Sequence, residues 1–223
     1  MYGASKIFKM TLVVSSSVFE AVYLQRLLKL PPRVLIHTFL NFTTTYAYDW
    51  GYITTLGVSL LFTVGGIIDP KTCLFVPFMA ATCGYEGVVQ KFPWFKNLFV
   101  AGMYGMNFIV IPLYIANVNV FTPQNMGILL PYCLRVIAFE MYDDVLDIEE
   151  DTKNGRATFA SRVGKRNAEI CTACLLLLGV WASRDTDAAL FHELVFNAVS
   201  FCLLGRHFVL LRSWYLFTAA LFR

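Results

Sequence analysis

Tyr142-Asp-Asp-Val-Leu-Asp-Ile-Glu-Glu-Asp-Thr-Lys-Asn-Gly-Arg-Ala-Thr158 follows directly on a long apolar run and concentrates acids in a chain that otherwise carries few charges. Read as a helix at about 100° per residue, it places Asp143, Asp147 and Asp151 on one face. Glu140, Asp144 and Glu150 fall beside them and Glu149 opposite. Carboxylates packed this closely repel one another unless a divalent metal or basic partners offset the charge. Acids in register on one helix face are an arrangement that holds Mg²⁺ against a phosphate-bearing substrate. The plainer reading is a solvated helix extension in which Lys153 and Arg156 make local ion pairs.

The surrounding chain has the composition of a membrane protein. Of its 223 residues 57% are hydrophobic and 15% charged, with a mean hydropathy of +0.60, against about 45–50% apolar and 25% charged in soluble domains. Apolar stretches fall at 7–24, 34–50, 52–68, 72–89, 97–115, 126–142, 168–183 and 190–204. About eight spans follow, at the short end of what crosses a bilayer. Several runs lack the polar face a soluble helix needs. The short connections predict one all-α domain over 1–223, an integral multi-pass bundle of about eight to nine transmembrane helices, embedded in lipid, in an organelle that the sequence leaves open. Eleven of the 18 lysines and arginines fall on the face that carries the acid segment, which the positive-inside tendency assigns to the cytoplasm, stroma or matrix. Nothing in this pattern calls for a nucleic-acid partner. The start, 1–9, is too short and too poor in arginine for a transit peptide.

Other polar residues read as structural. The six cysteines sit inside apolar runs as small buried hydrophobes, and the Cys171/Cys174 spacing lacks a second pair or a histidine for zinc or redox chemistry. Arg135 and Glu20, charges inside apolar runs, are costly against lipid and are expected to face the bundle interior. His37 and His207 are expected to pack.

The acid segment continues as D-x-x-D-x-x-x-D, then glycine and threonine: Asp144, Asp147, Asp151, Gly155, Thr158 and Val163-Gly164. This resembles the second aspartate-rich motif of the UbiA superfamily of intramembrane prenyltransferases, over about 25 residues. A weaker resemblance lies at 84–97, where Tyr85, Lys91, Lys96 and Asn97 look like the family's loop after the fourth helix. The plainer reading of Lys91 and Lys96 is as anchors at span ends. The family's first motif, N-D-x-x-D-x-x-x-D, is met at 45–53 by Asp49 alone, with Thr45, Tyr46 and Ile53 in the places of the other acids and asparagine.

The resemblance implies a helical bundle around a central cavity, with Mg²⁺ held by Asp49, Asp143, Asp144, Asp147 and Asp151. It implies a prenyl diphosphate whose head meets Tyr85, Lys91, Lys96, Asn97, Lys153 and Arg156, with Asp49, Asp147 and Asp151 as the catalytic acids. The activity implied is prenyl transfer from an allylic diphosphate to a lipophilic acceptor. Metal and lysines suit the charge that develops on the leaving group, and an apolar aromatic pocket keeps water from the cation. Two other readings stand beside this one: a terpene cyclase of the same type, and a non-catalytic membrane scaffold or partner whose first motif has degenerated.

Overall fold

The computed structural model describes residues 19–31, 34, 92–186 and 188–204. The first aspartate motif with Asp49, Tyr85, Lys91, and the spans expected at 52–68 and 72–89 lie outside these residues. Every regular element among the described residues is helical. They are α1 (19–27), α2 (Pro93–Gly105), a wide turn at Met106–Val110, α3 (Ile111–Ile115), α4 (Pro123–Leu146), α5 (Ile148–Lys153), α6 (Phe159–Val163), α7 (Lys165–Ser183) and α8 (Ala188–Leu204).

Prolines and side-chain caps set the helix starts. Pro93 and Pro123 each open a helix where a missing N–H costs nothing. Thr122 caps α4 by accepting from Asn125 N at 3.2 Å. The wide turn at Met106–Val110 answers Pro112. A proline has no N–H to give the carbonyl four residues back and its ring crowds that carbonyl. Here the helix opens to a five-residue step, with Ile111 N–H bonding Met106 O, and resumes as α3.

The long helix α4 is the spine. It packs along α7 on one side and α2 on another, and α7 in turn packs on α8. Small residues permit the α2–α4 approach: a Cβ on Gly105 would lie 2.9 Å from Cys133 Sγ and 3.0 Å from Leu129 Cδ1. The main core joins Tyr23 and Leu24 of α1, Phe108 and Ile109 of the wide turn, Leu113 of α3, Tyr132 and Val136 of α4, and Leu190 and Leu194 of α8.

Phe95–Ile115 is long and apolar enough to cross a membrane, and Leu190–Leu203 is a shorter apolar helix. Among the described residues no other helix meets that criterion. The reason is visible in the sequence: α4 carries Arg135, Glu140, Asp143 and Asp144, and α7 opens on Lys165, Arg166 and Glu169. The outer face of α7 is nonetheless apolar and exposed at Ile170, Leu177 and Trp181, as are Phe95 and Leu98 on α2 and Val199 and Leu203 on α8. Cys174 and Cys202, expected as buried fillers, lie exposed on α7 and α8. Cys73 and Cys83 lie outside the described residues.

Within this apolar body sits a charged group. Arg135, 0% exposed, donates through Nη1 to Glu193 Oε1 and through Nη2 to Glu20 Oε1. Its guanidinium lies 4.6 Å from the centre of the Tyr132 ring and 6.0 Å from that of Phe139. Asn197 Nδ2 adds a 3.4 Å bond to Glu193 Oε1. Arg135 and Glu20 thus face the interior, as expected of charges inside apolar runs. Glu193, an acid in the apolar run 190–204, completes the group and carries the same signal in the sequence.

Removing one member of such a group strands the others in a medium that does not solvate them. Arg135→Met is expected to cost about 3–5 kcal/mol, whereas Arg135→Met combined with Glu20→Leu and Glu193→Leu is expected to fall within about 1 kcal/mol of wild type. Denaturant melts of the three proteins check this, and a single variant as stable as wild type would contradict it.

Candidate functional site

The acid segment is one helix interrupted at a single residue. Asp147 ends α4 and starts α5 with φ −100° and ψ 7°, yet the i→i−4 bonds run on across it, Asp147 N to Asp143 O at 3.0 Å and Asp151 N to Asp147 O at 2.8 Å. The acids therefore keep nearly helical phase. Asp143 and Asp147 are exposed and Asp151 is half-buried. Asp144, beside them, turns inward and is 3% exposed.

Glycine and threonine of the motif shape the chain after the acids. Gly155 takes φ +67°, with Gly155 N bonding Thr152 O at 3.2 Å and Arg156 N bonding Asp151 O at 2.8 Å, the paired bonds that close a helix on a left-handed residue. Thr158 then caps α6: its Oγ1 accepts from Ser161 N at 3.3 Å, while Thr158 N donates to Ser161 Oγ at 2.9 Å. Gly164, at φ +84°, joins α6 to α7. A small core of Tyr142, Val145, Ala160 and Ala168 ties this turn to the bundle. The Gly-x-x-Thr spacing is thus a stop-and-start signal that folds the acid segment back onto α4 and α7.

Asp144 meets α2. Lys96 Nζ lies 2.5 Å from Asp144 Oδ1, and Asn97 Nδ2 donates to Oδ2 at 3.2 Å. Pro93 starts α2 one turn before these residues, so that its first exposed turn delivers an ammonium and an amide together. Asn97 is 4% exposed and its Oδ1 has no hydrogen-bond partner. Asp151 senses the same group. Burial pushes its carboxyl up from the ordinary range, Lys96 pulls it down, Asp144 and Asp147 push it up again, and Arg156 pulls it down.

A cleft of about 770 Å³ opens between the α4–α5 junction and the first turns of α7, lined by Tyr142, Val145, Asp147, Glu150, Lys153 and Lys165 among others. The residues expected at a diphosphate site are therefore distributed over two places. Lys96, Asn97, Asp144 and Asp151 gather toward α2, and Asp147 and Lys153 line the cleft. Asp143 and Arg156 are exposed. Asp49, Tyr85 and Lys91 lie outside the described residues. The sequence did not single out Glu140 as a site member, yet it lies within the electrostatic reach of Lys96, Asp143 and Asp144.

Among the described residues no three His, Cys, Asp or Glu side chains converge as a metal cage. The donor set still fits a hard cation: carboxylates of Asp144 and Asp151 and an unpartnered buried amide oxygen on Asn97 are the oxygen ligands Mg²⁺ takes. No family model matches this chain, and no curated protein or solved structure is significantly similar to it.

Because the left-handed turn and the cap hold the acid segment in place, Gly155→Ala is expected to cost about 1–2 kcal/mol and Thr158→Ala about 0.5–2 kcal/mol. Thermal melts of both variants measure it. Wild-type stability in both would remove these residues from a structural role and leave them to the ligand.

Proposed function

We propose that the chain is an integral, multi-pass membrane prenyltransferase of the UbiA type, which transfers a prenyl group from an allylic diphosphate to a lipophilic acceptor. The observation that carries this reading is the meeting of Lys96 and Asn97 with Asp144 beside Asp151. Lys96 and Asp144 lie 48 residues apart, in two segments that each resemble that family. The exposed apolar faces of α2, α7 and α8 favour a lipid setting.

The chemistry follows from the residues. Lys96, Lys153 and Arg156 supply the positive charge that binds and orients a diphosphate, with Asn97 as a fixed polar contact. Asp144, Asp147 and Asp151, with Asp143 and Asp49, would hold Mg²⁺, which when bound offsets the charge developing on the departing diphosphate. Breaking the allylic C–O bond sends its electron pair to the diphosphate and leaves an allylic cation. Capture of that cation by the acceptor, with loss of the acceptor's proton, completes transfer. The apolar side chains of the bundle keep water from competing for the cation.

A second reading has an observation of its own. Thr45, Tyr46 and Ile53 stand where the first motif has asparagine and acids, which favours a non-catalytic membrane partner that retains the fold. A cyclase would share the ionisation and need no acceptor.

Purified full-length protein, given a panel of allylic diphosphates, is expected to release diphosphate only with Mg²⁺. Asp49→Asn, Asp147→Asn and Asp151→Asn are each expected to reduce release by about 10²–10³, the scale of losing a principal electrostatic stabiliser. Equal, background-level release from wild type and all three variants would point to the scaffold.

A further inference from the structure

Asp144 already has a cation. Its Oδ1 is taken by the Lys96 ammonium at 2.5 Å and its Oδ2 by the Asn97 amide at 3.2 Å, in a place where the carboxylate is 3% exposed. Lys96 is itself only 20% exposed, so the pair is poorly screened by water. The same ammonium acts on Asp151 and Glu140. The Lys96 ammonium thus acts on three carboxyl groups, and Arg156 adds its charge at Asp151.

Asn97 shows that the place is built for more than this pair. Its Nδ2 is directed at the carboxylate, which fixes the amide orientation by donor and acceptor chemistry. That leaves Asn97 Oδ1 buried beside Asp144 without a partner. A buried carbonyl oxygen is costly when unpaired, and a cation or a donor arriving here would satisfy it.

We propose that Lys96 is the resident counter-cation of this acid group, and that a divalent metal takes its place only as a diphosphate draws the ammonium away. The proposal rests on the metal and diphosphate reading above. An incoming metal and the Lys96 ammonium compete for the same oxygens and repel each other, so metal alone binds weakly. A diphosphate relieves the competition by accepting the displaced ammonium as a charge-assisted donor. The two ligands therefore bind with positive coupling, and by linkage each tightens the other equally. An enzyme arranged in this way stays empty of metal until its anionic substrate arrives.

The test uses the full chain in lipid nanodiscs, Mn²⁺ as a spectroscopically visible metal and inorganic pyrophosphate as the anion. In wild type, pyrophosphate is expected to tighten Mn²⁺ binding about tenfold or more, within the usual range of coupling. Lys96→Gln is expected to bind Mn²⁺ alone about tenfold more tightly than wild type and to lose most of the pyrophosphate effect. Lys96→Arg, which keeps the charge, is expected to behave as wild type. Mn²⁺ binding that pyrophosphate does not tighten in wild type overturns the proposal without any variant. So does an unchanged affinity for Mn²⁺ alone in Lys96→Gln, and in both cases the metal site itself remains. Absence of Mn²⁺ binding in wild type and both variants, with or without pyrophosphate, removes the metal reading and this proposal together.

Discussion

A guanidinium with no exposure to solvent has to be answered inside the protein, and Arg135 is answered from both sides of the sequence at once. Glu20 comes from α1 and Glu193 from α8, with separations of 115 and 58 residues. No apolar contact imposes such a condition, since leucines trade partners at little cost when helices slide. A slide of one turn, about 5.4 Å, would separate Arg135 from both carboxylates and leave three buried ions unpaired. The group therefore fixes the axial register of α1, α4 and α8. With that register set, the small residues of α2 meet Cys133 and Leu129, and the far end of α4 arrives where Lys96 and Asn97 await it. Asp144 lies nine residues beyond Arg135, about 13.5 Å along the axis and on the opposite face. One helix thus carries the Arg135 group at one level and the Asp144–Lys96 pair at another.

The acid segment illustrates how a motif mixes two kinds of residue. Gly155 and Thr158 are required by the backbone, since one ends α5 through a left-handed turn and the other opens α6 through a cap. The acids have no such duty in the turn: the bonds that close it come from main-chain carbonyls and from Thr158 and Ser161. Spacing alone does not separate the two classes. The structure does, because an aspartate that caps nothing and holds a lysine across to another helix has a role outside local folding.

Legibility in the sequence follows the range of the forces involved. The helical character of α2, α4, α7 and α8 is legible in the apolar runs 97–115, 126–142, 168–183 and 190–204, whereas α2 and α4 start at Pro93 and Pro123, a few residues ahead of those runs. Charges inside apolar runs point to Arg135 and Glu20 as interior residues, and the same logic applies to Glu193 in the run 190–204. The helical wheel placed Asp144 beside the exposed acids, where no pattern within α4 distinguishes it. Its inward turn depends on Lys96, 48 residues away, and such a distant contact leaves no periodic trace. Membrane crossing was the coarsest reading. Charges on α4 and α7, among them Asp143, Asp144 and Lys165, keep those helices from resembling uniform apolar spans.

The wide turn at Met106–Val110 has a geometric consequence for the whole span. A step of five residues in place of four adds about one residue to a turn, so the faces beyond it are rotated by roughly 100° relative to those before it. The apolar helix from Phe95 to Ile115 is therefore two short screws out of phase, and no single stripe of side chains runs its length. Before the slip its inward face is Asn97 and Ala101; beyond it, Ile111, Leu113 and Ile115 are buried while Tyr114 is exposed. By this slip the polar end of the helix and its apolar end each address a different set of neighbours.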